Sequence, residues 1–253
     1  MKATAILAAL AAISLGGVAS AEDSSISSAN IVGYVTYNIS ANKKDIMGSP
    51  FINVGGTTFD IQNVTLSNPS DGCDWIMVFN PATVSYDSYT WFSELYTDDT
   101  YETSLGVAGW GNNYVKEGCE LDPGQGFWIQ TEQASSVTLP GQVVAADENS
   151  FTTTPNKKDI VACVFPVSID IQGIKLENGT DGCDWIMVFN PQTSSYDSYT
   201  WFSELYSDDT YETSLGVPGW GNNYVVETKS LNPGQGFWIQ TQADATVSFD
   251  APL

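Results

Sequence analysis

Residues 72–115 read GCDWIMVFNPATVSYDSYTWFSELYTDDTYETSLGVAGWGNNYV, and residues 182–225 repeat this stretch with four substitutions. The two stretches lie 182 − 72 = 110 residues apart, which is far longer than the period of a solenoid repeat. Each copy is therefore long enough to build a domain around its own core. The duplication predicts two like domains in tandem, residues 22–141 and residues 142–253.

A shorter motif extends the duplication towards the N-terminus. Residues 42–46 (NKKDI) recur as residues 156–160, at an offset of 156 − 42 = 114. Copy one therefore carries four additional residues between positions 47 and 60, where Gly55 and Gly56 favour a turn. Because loops tolerate insertions and strands do not, we predict a loop there.

The repeated stretch predicts β-structure. Residues 75–79 (WIMVF) form an apolar run of strand length, and residues 85–92 (SYDSYTWF) are rich in aromatic residues. Asn80 and Pro81 between them are typical turn residues, so we predict a β-hairpin.

A second turn follows in each copy. Pro123 and Gly124 occupy the two central positions of a predicted type II turn, and residues 127–130 (FWIQ) leave it as a strand. The chain has many turn residues and no convincing stretch at helical period. We therefore predict an all-β protein with two tandem, homologous β-sandwich or barrel-like domains.

This order of segments resembles that of uncharacterised secreted β-modules in bacterial cell-surface and exported proteins. Those modules close with a Pro-Gly-x-Gly-Phe-aromatic strand, and residues 123–128 (PGQGFW) match it. The resemblance is one of layout over most of each copy. It implies an exported structural or adhesive module, and it implies no catalytic residues.

The N-terminus predicts a secretory signal peptide over residues 1–21. Lys2 precedes an apolar run, and residues 19–21 (ASA) form a small-residue cleavage site. The run is too short to remain as a membrane anchor. We expect a secreted protein, extracellular or at the outer cell surface, with the periplasm as an alternative.

Charge excludes several classes of function. Without Lys2 the chain has seven lysines, no arginine and no histidine against 30 acidic residues, a net charge of 7 − 30 = −23. Nucleic acid and anionic membranes are therefore disfavoured partners. A Ser-His-Asp triad, a zinc site with His ligands and a His-ligated haem are impossible. We expect no nucleic-acid partner, no membrane insertion and no enzymatic activity.

Four cysteines in an exported protein predict disulfides. Pairing within copies gives Cys73 with Cys119 and Cys163 with Cys183, the arrangement that we favour. Each such bridge stabilises by about 2–4 kcal/mol. The alternative joins Cys119 to Cys163 and links the two copies.

An acidic loop in each copy is a candidate calcium site, and Ca²⁺ is the one cofactor that the sequence suggests. Calcium binds six to eight oxygen ligands, which clustered carboxylates supply. The alternative is that these residues cap turns. The candidate ligands are Asp98, Asp99, Glu102, Asp208, Asp209 and Glu212.

Aromatic residues suggest a second kind of site. Trp110 lies between two glycines and before two asparagines, so we expect an exposed ring beside amides, which suits the face of a sugar. The core accounts for other aromatic residues, Trp75, Phe79, Phe92 and Trp128. The candidate ligand-binding residues are Trp110, Asn112, Asn113, Trp220, Asn222 and Asn223.

These observations predict a non-catalytic structural or adhesion protein. A carbohydrate-binding module, assisted by calcium, is the alternative. The expected partner is a surface glycan or a matrix component, or a second copy of the chain that accepts the strand over residues 30–39 by strand addition. Glu94 with Asp98 or Asp99 is the nearest carboxylate pair for glycoside hydrolysis, which we do not expect.

Overall fold

The computed structural model describes residues 32–144 and 149–250. Regular structure there is β, apart from two 3-10 helices, Ile61–Asn63 and Ile171–Gly173, so the all-β prediction is confirmed. Neither of these short helices could cross a membrane, and the described residues contain no other helix. The predicted signal peptide, residues 1–21, lies outside the described residues.

The described part of copy one contains twelve strands. They are β1 (Val32–Ile39), β2 (Lys43–Gly48), β3 (Phe51–Ile52), β4 (Phe59–Asp60), β5 (Thr65–Leu66), β6 (Trp75–Asn80), β7 (Ser85–Phe92), β8 (Gly109–Asn112), β9 (Val115–Lys116), β10 (Glu120–Leu121), β11 (Gly126–Thr131) and β12 (Ser135–Val143).

The described part of copy two contains eleven strands. They are β13 (Ser150–Thr152), β14 (Lys158–Ala162), β15 (Ile169–Asp170), β16 (Ile174–Glu177), β17 (Trp185–Asn190), β18 (Ser195–Phe202), β19 (Gly219–Asn222), β20 (Val225–Val226), β21 (Ser230–Leu231), β22 (Gly236–Gln240) and β23 (Thr246–Phe249).

Each copy has one large and one small antiparallel sheet. In copy one the large sheet has the order β2-β11-β6-β7-β8-β9, and in the small sheet β1, β3 and β5 pair with β12. In copy two the corresponding orders are β14-β22-β17-β18-β19-β20 and β13-β23-β16. A two-stranded ladder, β4 with β10 or β15 with β21, completes each copy. The apolar faces of the two sheets enclose a core, as in a β-sandwich.

The predicted hairpin and turn are present. β6 pairs with β7 from Trp75 opposite Thr90 to Asn80 opposite Ser85. In the turn before β11, the Gln125 N–H donates to the Asp122 carbonyl at 2.9 Å, and Gly124 has φ +82°. This positive φ is the conformation that a type II turn requires at its third residue.

The four-residue insertion of copy one contains more than a loop. β3 lies within it, and Ile52 pairs with Gln142 of β12. Copy two has no strand in this position, and its small sheet ends at β16. The insertion therefore extends the small sheet of copy one.

A third core lies between the copies. Phe79 packs edge-on against Trp238, with ring centroids 5.1 Å apart, and Trp128 packs in the same way against Phe189 at 5.0 Å. Ile46 and Ile160 complete this cluster with no exposed surface. Phe79 and Trp128 are buried, as predicted, but they are buried against the other copy.

The contacts between the copies are reciprocal. The Gly48 N–H donates to the Gly234 carbonyl at 2.9 Å, and the Ala162 N–H donates to the Gly124 carbonyl at 2.8 Å. Gly48 is the sequence equivalent of Ala162, and Gly124 is the equivalent of Gly234. Reciprocal contacts of this kind define a two-fold relation. We call this contact region, formed by β2, β11, β14 and β22, the inter-copy interface.

The predicted boundary between residues 141 and 142 falls within a strand. β12 continues to Val143, and Val144 of copy one packs into the core of copy two together with Ile52. The two copies are therefore packed together through apolar contacts, and their division into separate domains stays a prediction.

Candidate functional site

Trp110 and Trp220, the predicted sugar-stacking residues, are core residues. Both have no exposed surface, and the Trp110 Nε1–H donates to the Val64 carbonyl at 2.9 Å. Trp220 makes the equivalent bond to Ile174 at 2.8 Å. Because a buried ring cannot stack on a sugar, the prediction of an exposed Trp110 is wrong.

The glycines beside Trp110 have a packing role. A Cβ on Gly109 would lie 2.7 Å from Oε1 of Gln62, and a Cβ on Gly111 would lie 2.1 Å from the Val115 carbonyl oxygen. Glycine at these positions lets β8 approach its neighbours closely. The pattern of glycines around a tryptophan therefore reflects close packing of a strand.

The predicted asparagines lie in a tight turn. Asn112 and Asn113 are exposed, and Asn113 and Tyr114 form the two-residue connection between β8 and β9. Both have positive φ, +48° and +66°, as a type I′ hairpin turn requires. Asn222 and Asn223 occupy the same positions in copy two, where φ of Asn223 is +49°.

The acidic loops are exposed, and their first residues cap turns. The Asp98 carboxylate accepts hydrogen bonds from the hydroxyl and the backbone N–H of Thr100, which lower the pKa of Asp98. Asp208 is bonded in the same way to Thr210. Across the described residues, no three acidic, His or Cys side chains are grouped as a metal site would need. Turn capping accounts for Asp98 and Asp208, and calcium binding stays a prediction.

The structure pairs none of the four cysteines, which corrects the disulfide prediction. Cys73 and Cys183 are exposed, Cys119 is half-buried and Cys163 is buried in the core of copy two. The Cys163 sulfur accepts a hydrogen bond from the Phe165 N–H at 3.4 Å, and burial raises its pKa to about 12. Neither the pairing within copies nor the pairing between copies is formed.

Asp98, Asp99 and Glu102 belong to the long connection between β7 and β8, whose compact fold the sequence does not predict. Leu95 is fully buried, and it exchanges backbone hydrogen bonds with two distant residues of the loop, accepting from Leu105 at 2.8 Å and donating to Val107 at 3.0 Å. These bonds fix the connection as a compact loop. We call this connection together with β8 and the turn that follows it, residues 93–114, the first tyrosine loop. The equivalent residues of copy two, 203–224, are the second tyrosine loop.

Each tyrosine loop exposes aromatic and aliphatic side chains. In the first loop Tyr101 is 47% exposed and Tyr114 is 42% exposed, and in the second Tyr211 is 48% and Tyr224 is 41% exposed. The exposed aliphatic residues beside them are Leu105, Val107, Leu215 and Val217. Exposed tyrosines on an ordered loop are typical of a contact surface for another molecule.

The tyrosines adopt a backbone conformation that is unfavourable for bulky residues. Tyr101 and Tyr114 have φ of +57° and +66°, and Tyr211 and Tyr224 have +58° and +66°. A non-glycine residue in such a region costs on the order of 1–3 kcal/mol, and glycine or asparagine would adopt it at less cost. Both copies nevertheless have tyrosine at both positions.

The loops are acidic as well as aromatic. Residues 93–108 contain four carboxylates and no cation, and residues 203–218 contain the same four. Glu94 accepts a hydrogen bond from the Ser104 hydroxyl at 2.6 Å, and its charge raises the pKa of the Tyr96 hydroxyl. The surface of each loop therefore combines negative charge with aromatic rings.

The two loops project from strands at a distance from the inter-copy interface. In each large sheet the two strands that meet the other copy, β2 with β11 or β14 with β22, are at one edge, and β8 with β9, or β19 with β20, is at the opposite edge. Four intervening strand spacings of about 4.8 Å separate β2 from β8. The contact between the copies therefore leaves both tyrosine loops exposed.

Comparison of the chain with protein-family models, with curated proteins and with solved structures finds no match. The resemblance to exported bacterial β-modules stays a prediction. The one feature of the sequence that points to the tyrosine loops is the near-identity of the two copies. The sequence alone does not show that many of the identical residues are exposed.

Proposed function

We propose that this chain is a non-catalytic structural or adhesion protein of the cell exterior, and that its two tyrosine loops are the surfaces that contact a matrix polymer. The export signal predicted over residues 1–21 supports the location. The two loops lie at separate edges of the molecule, which supports the proposal that the protein contacts its partner at two places.

The observation that carries this proposal is the uneven divergence of the copies. The repeated stretch is identical at 44 − 4 = 40 of 44 positions, whereas residues 59–71 match copy two at 6 of 13 positions and residues 116–140 at 12 of 25. A recent duplication alone would leave all three segments equally alike. The repeated stretch includes residues 98–107, which are identical in the two copies, are all exposed and are not required for the core. A shared binding function accounts for their identity.

Physical chemistry supports a contact role for these loops. Tyrosine provides a large contact area at a low cost in conformational entropy, and it is enriched at interfaces. Two equal sites on one chain raise the apparent affinity for a polymer, because the second contact forms within the complex. Since each loop is acidic, a neutral or cationic polymer is a better partner than an anionic one.

The alternatives are less well supported. The form of the carbohydrate-binding alternative in which Trp110 and Trp220 stack on a sugar is disfavoured, because both rings are buried. Strand addition by residues 30–39 would need β1 to leave its own chain. β1 instead pairs with β12 of the same chain at all eight of its positions, from Val32 opposite Gln142 to Ile39 opposite Ser135.

A retention assay tests the proposal. The mature chain, residues 22–253, is passed over immobilised chitosan, cellulose and alginate, which are cationic, neutral and anionic. We expect retention on chitosan or cellulose and none on alginate. Tyr101→Asn and Tyr211→Asn each remove one ring from a position whose positive φ asparagine tolerates. Each single variant should lose roughly tenfold or more in apparent affinity, and the double variant should lose retention.

The matched control is Val54→Asn, which changes a residue 65% exposed outside both loops. It should bind as the wild type does. No variant should lower the free energy of unfolding by more than about 0.5 kcal/mol, since the changed side chains are on the surface and asparagine tolerates the positive φ. Equal retention of the double variant and the wild type, or no retention on any of the three polymers, would overturn the proposal.

A further inference from the structure

A cavity of about 260 Å³ lies at the inter-copy interface, and both copies line it. None of its lining residues belongs to a tyrosine loop, and it is built mainly from residues outside the repeated stretch. We call it the inter-copy cavity. The polar side chains that line it are Tyr37, Asp45, Asn190, Gln192, Lys229, Ser230, Asn232 and Gln235.

The Tyr37 hydroxyl is buried and has no hydrogen-bond partner among the described residues. A buried hydroxyl without a partner is unfavourable, so such groups are uncommon in folded proteins. Burial raises the pKa of the Tyr37 hydroxyl, and the nearby Cys163 and Asp45 raise it further. The wall of the cavity therefore contains a hydroxyl that no described residue satisfies, beside a carboxyl group.

Asp45 is half-buried in the same cavity. One carboxyl oxygen accepts a hydrogen bond from the Ile46 N–H at 2.8 Å, and the other accepts none from the described residues. Burial raises the pKa of Asp45 to about 7. The only lining cation, Lys229, already pairs with Asp197 at 2.7 Å, so the cavity has no free positive charge for an anion.

The equivalent groove on the other side of the inter-copy interface is a natural comparison. It is of similar size, about 290 Å³, and it contains Asp159, the counterpart of Asp45, and a second carboxyl group, Asp122. At three other positions the hydrogen-bonding residue of the inter-copy cavity has a less polar counterpart. The pairs are Tyr37 and Phe151, Gln192 and Ala82, and Lys229 and Cys119. Divergence of the copies has therefore left fewer neutral hydrogen-bonding side chains in the second groove, where Gln125 and Thr152 remain.

We propose that the inter-copy cavity binds a small, neutral, polyhydroxylated molecule of the size of one sugar ring. Pockets for drug-sized ligands have volumes of about 300–1,000 Å³, so this cavity suits a smaller molecule. Hydroxyl groups both donate and accept, which matches a cavity with a carboxyl acceptor, a phenol and side-chain amides. An anion would meet Asp45 without a free cation, and an apolar molecule would leave the polar groups unpaired.

This proposal does not depend on the function of the tyrosine loops. The loops contact a polymer from the surface, whereas the cavity encloses a small molecule between the copies. Variants in one place leave the other unchanged, so the failure of either proposal is visible separately.

Ligand-observed NMR and calorimetry on the mature chain, residues 22–253, test the cavity. The probes are glucose, N-acetylglucosamine, xylose and myo-inositol, with sodium acetate as the anionic comparison. We expect at least one hydroxylated probe to bind with a millimolar or lower Kd and acetate not to bind. Tyr37→Phe and Gln192→Ala should each weaken this binding by roughly tenfold, the effect of one lost hydrogen bond.

Both substitutions introduce the residue that the other copy has at the same position, so the fold should be retained. The matched controls make the reverse changes in the second groove, Phe151→Tyr and Ala82→Gln. They should leave the Kd of the first site unchanged. Absence of millimolar binding by every hydroxylated probe would overturn the proposal. Equal affinity of Tyr37→Phe, Gln192→Ala and the wild type would also overturn it, because the probe would then bind elsewhere.

Discussion

The tyrosine loops and the inter-copy interface derive from the same duplication. They differ in the exposure of the residues that are identical in the two copies. The loops are nearly identical in the two copies, although most of their residues are exposed. At the interface the residues that have stayed identical are buried, as Ile46 and Ile160 or Trp128 and Trp238 are, whereas Gly48 has Ala162 as its counterpart. Folding therefore does not explain the identity of the loops, whereas it does constrain the interface. The comparison separates a region that stabilises the molecule from a region available for binding.

The largest effect is expected from removing an aromatic ring at the inter-copy interface. Trp128 is 4% exposed and packs on Phe189, so Trp128→Ala should lower the free energy of unfolding by about 3–5 kcal/mol. Urea unfolding followed by circular dichroism measures this loss. The loop variant Tyr211→Asn is the control and should lower the free energy of unfolding by less than about 0.5 kcal/mol. Similar losses in the two variants would remove the distinction between the two regions.

A smaller effect is expected from adding a side chain at a close approach of the two copies. A Cβ on Gly48 would lie 2.5 Å from the Cβ of Ala162, so Gly48→Val forces the copies apart. We expect a loss of about 1–3 kcal/mol, the usual cost of overpacking. At Gly118 a Cβ would approach Asp60 no closer than 3.6 Å, so Gly118→Ala is the control. Thermal unfolding measures this loss. If Gly48→Val and Gly118→Ala unfold at the same midpoint temperature, the copies do not pack as described.

The smallest effect concerns the two half-buried carboxyl groups of the inter-copy interface, Asp45 and Asp159. Burial raises the pKa of Asp45 to about 7 and that of Asp159 to about 6, from an ordinary value of 3.8. Between pH 4 and pH 7 the folded state therefore binds more protons than the unfolded state, and the free energy of unfolding falls as the pH rises. Above about pH 7 the Asp45 contribution is constant. The protein should be more stable at pH 5 than at pH 8.

Asp45→Asn isolates this effect from the general relief of charge repulsion at low pH. The asparagine oxygen can still accept the bond from Ile46. The variant should be more stable than the wild type at pH 8, by on the order of 1 kcal/mol after allowance for solvent screening. The difference should disappear at pH 4. A variant less stable than the wild type at pH 8 would show that the charged form of Asp45 stabilises the interface.

Sequence patterns predicted the local structure well. The hairpin of β6 and β7 and the turn at Gly124 follow from alternation and from turn residues, which act within a few positions of the chain. The role of Trp110 was not predictable in this way. Neighbouring glycines are compatible with an exposed ring and with close packing, and only contacts with Gln62 and Val64, about fifty positions earlier, distinguish the two.

The sequence by itself determined the duplication, the β class, the acidic charge and the absence of histidine and arginine. Composition, repetition and short-range periodicity are sufficient for these conclusions. Only the tertiary structure decided that Trp110 is buried, that the cysteines are unpaired and that Phe79 and Trp128 form a core between the copies. It also decided which identical residues are exposed. These properties depend on distances between residues far apart in the chain, and local sequence does not encode such distances.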